Sequence, residues 1–324
     1  MERISVIGLG PAGASIGLAL KQWITAPEAS GRRRREIEVI GFDFDTGVQK
    51  AAMRLKAVDS TPWNLRQAVR DASLVVLTVS ATEVRRALGE LAPLLANGAV
   101  VTDTAAHKQH SLALASEILP PHVSFVAGHP VLPLDHTREP SVDLFAGVTY
   151  SLFPHPRAEQ SATELVVGFV HAIGARPYFP DPAEHDAQVA ATTMLPALAA
   201  VALMHTASGG AGWRDLSGMA TSDLAELTRL ASTPPEELAG MVAFSPEEAV
   251  RWLDTLIGRL GELRDLARRD DPEAAERLLR FVSDAHTARE RWLRPAAPQE
   301  DTSRPNTDTH MNRLFLGGLR RRRD

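Results

Sequence analysis

The chain has 324 residues, 44% hydrophobic and 23% charged, a composition ordinary for a soluble globular protein and long enough for two domains. It has no cysteine, which excludes disulfides, thiol nucleophiles and thiolate metal sites, and its net charge of −5 provides no overall basic field for nucleic acid. No run is expected to reach the roughly 18 apolar residues of a membrane span, and the first strand begins too close to Met1 to leave room for a signal peptide, so a cytoplasmic location is the default.

The apolar strand Ile4–Ile7 leads into Gly8-Leu-Gly10-Pro-Ala-Gly13, and a helical pattern continues from Ala14 to Trp23. In a dinucleotide-binding unit the first glycine makes the tight turn, the second lets backbone approach a pyrophosphate, and the third lets helix and strand pack closely. A second apolar strand, Ile37–Phe42, ends in Asp43, whose carboxylate suits the two ribose hydroxyls and repels a 2′-phosphate. Asp45 adds a second negative charge and no arginine immediately follows Asp43, so NAD is favoured over NADP. Against this stands the basic run Arg32–Arg35, which reads as a solvated loop but could reach the adenosine side.

Helical stretches follow at Gly47–Leu55 and Leu65–Arg70, then the apolar run Leu74–Val79, which reads as a buried parallel strand. Helix Glu83–Leu95, strand Ala99–Thr102, helix Lys108–Leu119 and strand Val123–Ala127 complete an alternation typical of a doubly wound sheet. Val148–Phe153 and Arg176–Phe179, flanking a helical stretch at Gln160–Ile173, are expected to extend the same sheet. Cofactor contacts are expected from Gly8, Leu9, Gly10, Ala12 and Gly13 in the glycine turn, from Asp43, from Val79 and Ser80 after the third strand, and from Asp103 after the fourth.

From Glu184 onward strand signals stop and helices take over. Thr233-Pro-Pro-Glu236 and Ser245-Pro-Glu-Glu248 read as capping boxes, and Asp271-Pro272 as a further helix start. Val250, Leu253, Ile257, Leu260 and Leu263 share one helix face, and Leu278, Leu279, Val282 and Ala285 another; both stripes read as packing surfaces rather than binding grooves. Arg294–His310 is poor in large apolar residues and reads as disordered. It is followed by the tail Met311–Asp324, with a short apolar patch and four arginines, which reads as weakly structured or as a dock for a partner or an anionic surface.

Gly128-His129-Pro130 directly follows the strand Val123–Ala127, at the edge where a doubly wound sheet faces a nicotinamide. An imidazole there can take the proton of a carbinol as hydride leaves the same carbon. No His, Asp and Glu cluster has the spacing of a zinc site, so no metal is expected.

Several segments, in this order, resemble the prephenate and arogenate dehydrogenase family of tyrosine biosynthesis over about residues 1 to 293. They are Gly8-Leu-Gly-Pro-Ala-Gly-Ala-Ser15, Val39-Ile-Gly-Phe-Asp43, Val101-Thr-Asp-Thr-Ala-Ala-His-Lys108, Val126-Ala-Gly-His-Pro130, Leu144-Phe-Ala-Gly-Val-Thr-Tyr150, Glu184-His-Asp186 and Trp213-Arg-Asp-Leu-Ser-Gly-Met-Ala-Thr-Ser-Asp223. The resemblance implies an α/β fold with an N-terminal Rossmann domain (residues 1–180), an all-α dimerisation and substrate domain (181–293) that pairs two subunits, and a tail (294–324). It also implies oxidation of the ring carbinol of prephenate or arogenate by NAD(P), followed by decarboxylation that aromatises the ring. His129 matches the histidine that accepts the carbinol proton.

The chain departs from the family pattern at substrate ligands. The serine that steadies the histidine falls at Ala106, the pattern Ser-His-Leu-Pro-His reads Thr193-Met-Leu-Pro-Ala197, Gly218 stands where an arginine would clamp a carboxylate, and a later tryptophan falls at Leu227. Charge-assisted hydrogen bonds contribute about 1.5 to 3 kcal/mol each, so loss of an arginine and a histidine would weaken binding by roughly 3 to 6 kcal/mol. Arg214, Lys108 and His107 are the expected compensating substrate ligands, and His107 could replace the lost serine contact. His185 reads as a hinge or packing residue where the domains join. The reading is thus an NAD-dependent cyclohexadienol dehydrogenase that works as a homodimer. Its alternatives are a dehydrogenase for a less acidic substrate, in a pocket made roomier by Met194, Ala197 and Gly218, and a catalytically silent NAD-binding protein with a partner-binding role.

Overall fold

A computed structural model of the chain describes residues 2–26, 37–132, 139–210 and 212–294. The basic run Arg32–Arg35 and the tail Met311–Asp324 lie outside the described residues. The described chain divides into two compact units, up to Phe244 and from Ser245 onward.

The first unit is built on one seven-stranded sheet in the order β2-β1-β3-β4-β5-β6-β7. Its strands are β1 (Glu2–Ile7), β2 (Ile37–Phe42), β3 (Leu74–Leu77), β4 (Val100–Asp103), β5 (Ser124–Val131), β6 (Thr149–Pro154) and β7 (Arg176–Tyr178). All neighbours are parallel except β5 and β6, so the two strands expected to extend the sheet do so after one reversal. The helices α1 (Pro11–Thr25), α2 (Thr46–Arg54), α3 (Leu65–Val69), α4 (Val84–Leu91), α5 (Lys108–Ile118) and α6 (Gln160–Ala172) connect the strands. The inner strands β3 (Leu-Val-Val-Leu) and β4 (Val-Val-Thr-Asp) are buried on both faces, as parallel strands between two helical layers are. Two apolar layers result: Ile16, Leu20, Val166 and Phe169 pack on one face, and Leu88, Leu91, Leu114 and Phe125 on the other.

Register carries the site. Ile7, Leu77 and Asp103 lie abreast, and Thr102 pairs with Val126. The next residues along each strand, Gly8, Thr78 and Gly128, therefore meet at the carboxyl edge, where α/β folds bind ligands. β5 continues four residues beyond the expected end at Ala127, and its antiparallel pairing sets His129 opposite Ser151.

Beyond β7 the unit continues with α7 (Pro182–Val189), a π-helical turn at Ala190–Met194, α8 (Leu195–Ser208), α9 (Trp213–Gly218), α10 (Ser222–Thr228) and α11 (Pro235–Phe244). Pro196 accounts for the π turn, because it lacks an N–H and its ring crowds the carbonyl four residues earlier. The first compact unit runs on to Phe244, and within it α7 packs on α5 and shares hydrogen bonds with it.

One expectation about membrane spans needs correction. The continuous helical run Pro182–Ser208, 27 residues that include an 18-residue window with a mean hydropathy of 1.6, is long and apolar enough to cross a bilayer by length and composition alone. It passes because Ala187–Ser208 carries no Asp, Glu, Lys or Arg, although alanine and threonine rather than large apolar side chains fill much of it.

The second unit is a helical hairpin of α12 (Pro246–Ala267) and α13 (Pro272–Leu293). Asp271 caps α13 by accepting from the N–H of Ala274 at 2.9 Å, whereas Ser245 makes no side-chain cap for α12, so the second capping box is not formed. The apolar stripe also departs from expectation. Val250, Ile257 and Leu260 on α12 and Leu279, Val282 and Trp292 on α13 are exposed rather than packed, because a two-helix hairpin has no second layer to cover them.

Candidate active site

The glycine turn has the geometry that its spacing predicts. Gly8 has φ +95°, a conformation that favours glycine, and a Cβ there would lie 2.8 Å from the carbonyl oxygen of Thr78. A Cβ on Gly13 would lie 2.0 Å from the carbonyl oxygen of Gly8, so α1 packs against the turn as only glycine allows. Around Gly10 there is open space, which leaves its backbone accessible at the N-terminus of α1. This is a cradle that fits a pyrophosphate. Asp43 stands at the end of β2, with Oδ2 accepting from the N–H of Leu9 at 2.7 Å and Oδ1 from that of Asp45 at 2.9 Å. Each oxygen keeps a lone pair for a ribose hydroxyl. Ala12, Val79 and Ser80 are half-buried along the same edge.

Asp103 departs from its expected cofactor role. Its carboxylate is fully buried and accepts from Lys108 Nζ at 2.8 and 2.9 Å, from Ser111 Oγ at 2.8 Å and from the N–H of Gly128 at 2.9 Å. Lys108 likewise departs from its expected substrate role. Its ammonium is fully buried and also donates to the carbonyl oxygen of Gly128 at 2.7 Å, so its donors are committed inside the fold. Together the pair holds Gly128 from both sides, by its N–H and by its carbonyl, one residue before His129. A side chain at Gly128 would strike the Tyr150 ring at 2.5 Å, so the glycine is needed for this close approach.

His129 is half-buried, and its Nδ1 lies 3.0 Å from Nε2 of His185. Nδ1 of His185 lies 3.2 Å from Oδ1 of Asp186. Asp186 also accepts from the N–H groups of Lys108 and Gln109 at 2.8 and 2.9 Å, capping α5 from α7 in place of the adjacent His107. Burial opposes the charge on Asp186, yet these hydrogen bonds hold its carboxyl below the usual range. An ionised carboxylate only accepts, which assigns the protons along the line. His185 must carry hydrogen on Nδ1, its Nε2 therefore accepts from Nδ1–H of His129, and Nε2 of His129 retains its lone pair. His185, read from the sequence as hinge or packing, is thus the hydrogen-bond partner of His129.

Burial, reinforced by the nearby Lys108, His185 and His107 and opposed by Asp186, pushes the His129 imidazole down to about 3. It is neutral at pH 7, with the lone pair on Nε2 unprotonated. A depressed folded value means that between 6.5 and about 3 the unfolded chain binds a proton that the folded chain refuses. Stability is therefore fully present above pH 6.5 and is lost as pH falls through that window, by about 2 kcal/mol from His129 at pH 5. Urea midpoints at pH 7 and pH 5 should show this loss in the parent chain and a smaller one in His129→Gln. An equal loss in both would remove His129 as its source.

The remaining expected ligands are dispersed. His107 is buried with its ring edge-on to Phe244, its Nδ1 has no hydrogen-bond partner among the described residues, and burial lowers its pKa. His107 does not replace the lost serine contact, because Nδ1 of His129 is bonded to His185. Arg214 is exposed on α9 and forms no ion pair among the described residues. Met194 and Ala197 are buried, and Gly218 faces open space. The described residues include no cluster of His, Asp and Glu able to hold a metal ion.

A doubly wound sheet with a glycine cradle, a carboxylate at the end of β2 and a neutral imidazole at its carboxyl edge has the features of a dinucleotide-dependent oxidoreductase. Residues 29–179 match the family model for the nucleotide-binding domain of prephenate dehydrogenase, and residues 181–282 match that for its dimerization domain. The chain belongs to the prephenate dehydrogenase family. A prephenate dehydrogenase of Bacillus subtilis is 25% identical over 296 residues, which span 89% of this chain and 76% of that protein. A cyclohexadienyl dehydrogenase of Zymomonas mobilis is 23% identical over 292 residues, 89% of this chain and 95% of that one. Among solved structures, the fold is shared with a prephenate dehydrogenase from A. aeolicus in complex with hydroxyphenyl propionate and NAD+. Its TM-score is 0.72 at 20% identity, covering 90% of this chain and 98% of that one. A Synechocystis arogenate dehydrogenase shares it with a TM-score of 0.67 at 22% identity, covering 90% and 100%.

Proposed function

We propose that this chain catalyses NAD-dependent oxidation of a cyclohexadienol of the prephenate and arogenate type, with loss of the ring carboxylate, as a cytoplasmic step of tyrosine biosynthesis. The observation that carries the reading is the hydrogen-bonded line from His129 through His185 to Asp186, which leaves Nε2 of His129 as the acceptor at the cofactor edge of the sheet. The cradle of Gly8, Gly10 and Gly13 holds the pyrophosphate and Asp43 the adenosine ribose. Ala12, Val79 and Ser80 line the same edge, whereas Leu9 is buried in the core and donates its N–H to Asp43. Bound there, NAD supplies the hydride acceptor. His129 takes the carbinol proton at Nε2, and the positive charge this creates is spread toward Asp186 through His185. The family membership and the NAD+ held by the A. aeolicus relative support the cofactor assignment.

A second reading, in which the substrate carries less net negative charge than prephenate, rests on a specific observation. Lys108 is neutralised by Asp103, and Gly218 stands where the family pattern has an arginine. Arogenate, with an amino group beside its side-chain carboxylate, would suit this cleft better than prephenate. The test is formation of reduced nicotinamide by purified chain with NAD and each substrate in turn. Turnover with either supports the dehydrogenase, and a higher kcat/KM for arogenate supports the second reading. Tight NAD binding without turnover on both would overturn the proposed activity.

The chain works as a homodimer in this reading, with residues 181–293 as the pairing domain. The exposed apolar faces of α12 and α13 and the uncharged run of α8 supply the contact surface, and the matched dimerization model supports it. Sedimentation should give twice the chain mass of 35.1 kDa. A monomer would overturn this assignment.

A further inference from the structure

The cradle and Asp43 account for the pyrophosphate and the adenosine ribose but leave the base without a seat. A dinucleotide lying on Gly10 with its ribose hydroxyls at Asp43 carries its adenine past Asp43, over the loop that follows β2 and toward the start of α4. Two planar groups face each other there. Phe44 follows Asp43 directly, packs edge-on against Phe42 with ring centroids 5.2 Å apart, and remains 52% exposed. Arg86, in the first turn of α4 on the far side of β3, lays its guanidinium over that ring with Cζ 4.7 Å from the centroid. Glu83 accepts from Nη2 of Arg86 at 2.9 Å, and its other oxygen accepts from Ser80 Oγ at 3.1 Å.

We infer that Arg86, backed by Phe44 and held by Glu83, is the shelf on which the adenine base of the dinucleotide stacks. A guanidinium is a planar, weakly hydrated cation that can stack on an aromatic ring with one face and on a base with the other. Half the Arg86 side chain is exposed, so its outer face is open to a base. Phe44 lies outside both apolar layers of the sheet, whereas its neighbour Phe42 belongs to one, so the packing of the fold does not require an aromatic ring at this position. The Glu83 carboxylate offsets the guanidinium charge, which favours an uncharged base over a 2′-phosphate as its partner. An arginine that would have argued for NADP, had it followed Asp43 in the chain, is instead assigned to base stacking.

The inference rests on the proposed dinucleotide binding, and one titration series separates the two. Calorimetry would compare NAD, ADP and nicotinamide mononucleotide on the parent chain and on Arg86→Ala, Arg86→Lys and Phe44→Ala. Arg86→Ala and Arg86→Lys should each lose about three- to thirtyfold in affinity for NAD and ADP. Phe44→Ala should lose affinity in the same sense, and the mononucleotide, which lacks adenine, should bind all four chains alike. Parent-level NAD affinity in Arg86→Ala would overturn the shelf and leave dinucleotide binding standing. Full recovery in Arg86→Lys would also overturn it, since a lysine keeps the charge but has no planar face. A parent chain that binds neither NAD nor ADP would overturn both.

Discussion

Replacing His129 by alanine is expected to lower kcat about 10²- to 10⁴-fold, the range for loss of a positioned general base, while NAD affinity stays within about threefold of the parent value. The separation follows from the geometry. The cradle of Gly8, Gly10 and Gly13 and the carboxylate of Asp43 sit at the ends of β1 and β2, whereas His129 sits on β5, two strands beyond β3. Replacement of His185 by phenylalanine should lower kcat in the same direction but by less, because Nε2 of His129 survives while its proton assignment and the path to Asp186 are lost. The pH profile adds a check. With the His129 imidazole pushed down to about 3 by burial and by the nearby Lys108 ammonium, its own protonation should place no acid limb on kcat/KM between about pH 5 and 8. Stopped assays of the three chains across that range would decide. Equal rates in the parent and His129→Ala would exclude His129 as the base.

The second large effect is expected from the buried ion pair. Lys108→Met should destabilise the chain by about 3 to 5 kcal/mol, the typical cost of removing one partner from a buried pair. Asp103 would be left charged in the interior, retaining only Ser111 Oγ and the N–H of Gly128. Asp103→Leu should cost a similar amount by stranding the ammonium. The double variant Asp103→Leu/Lys108→Met should recover much of the stability, because two uncompensated charges are removed together. Both single variants also release one side of the Gly128 peptide, so kcat should fall beyond any effect of unfolding, measured where urea titration shows the variant fully folded. A loss under about 1 kcal/mol in Lys108→Met would mean that the pair contributes little to the fold.

The nucleotide half was legible because its constraints are local. Gly8 and Gly13 are demanded by backbone geometry within one turn, β1 to β5 announce themselves as short apolar runs, and Asp43 follows from where β2 ends. The address of His129 was legible for the same reason, as a residue just past a strand of known polarity. Its partner was not. His185 lies on α7, and nothing between residues 129 and 185 signals that α7 returns to cap α5 through Asp186. Lys108 and Asp103 look alike as surface ligand or buried pair, since a sequence gives residue type but not solvent exposure. The apolar stripes of α12 and α13 were recognised as contact faces, yet their exposure in a single chain could not be read from periodicity, which marks an apolar face without saying what covers it.

By itself, then, the sequence determined a doubly wound dinucleotide-binding sheet, an acid at the end of β2, a histidine just past the apolar run of β5 and a helical second half lacking several expected carboxylate ligands. Those features depend on the chemistry of residues near one another in the chain. Tertiary structure alone decided which charges are spent inside the fold and which residue hydrogen-bonds His129, and it set Arg86 over Phe44. Each of those depends on groups brought together across the sheet from distant segments, where burial and hydrogen-bond partners are fixed only once β5, α5 and α7 have packed.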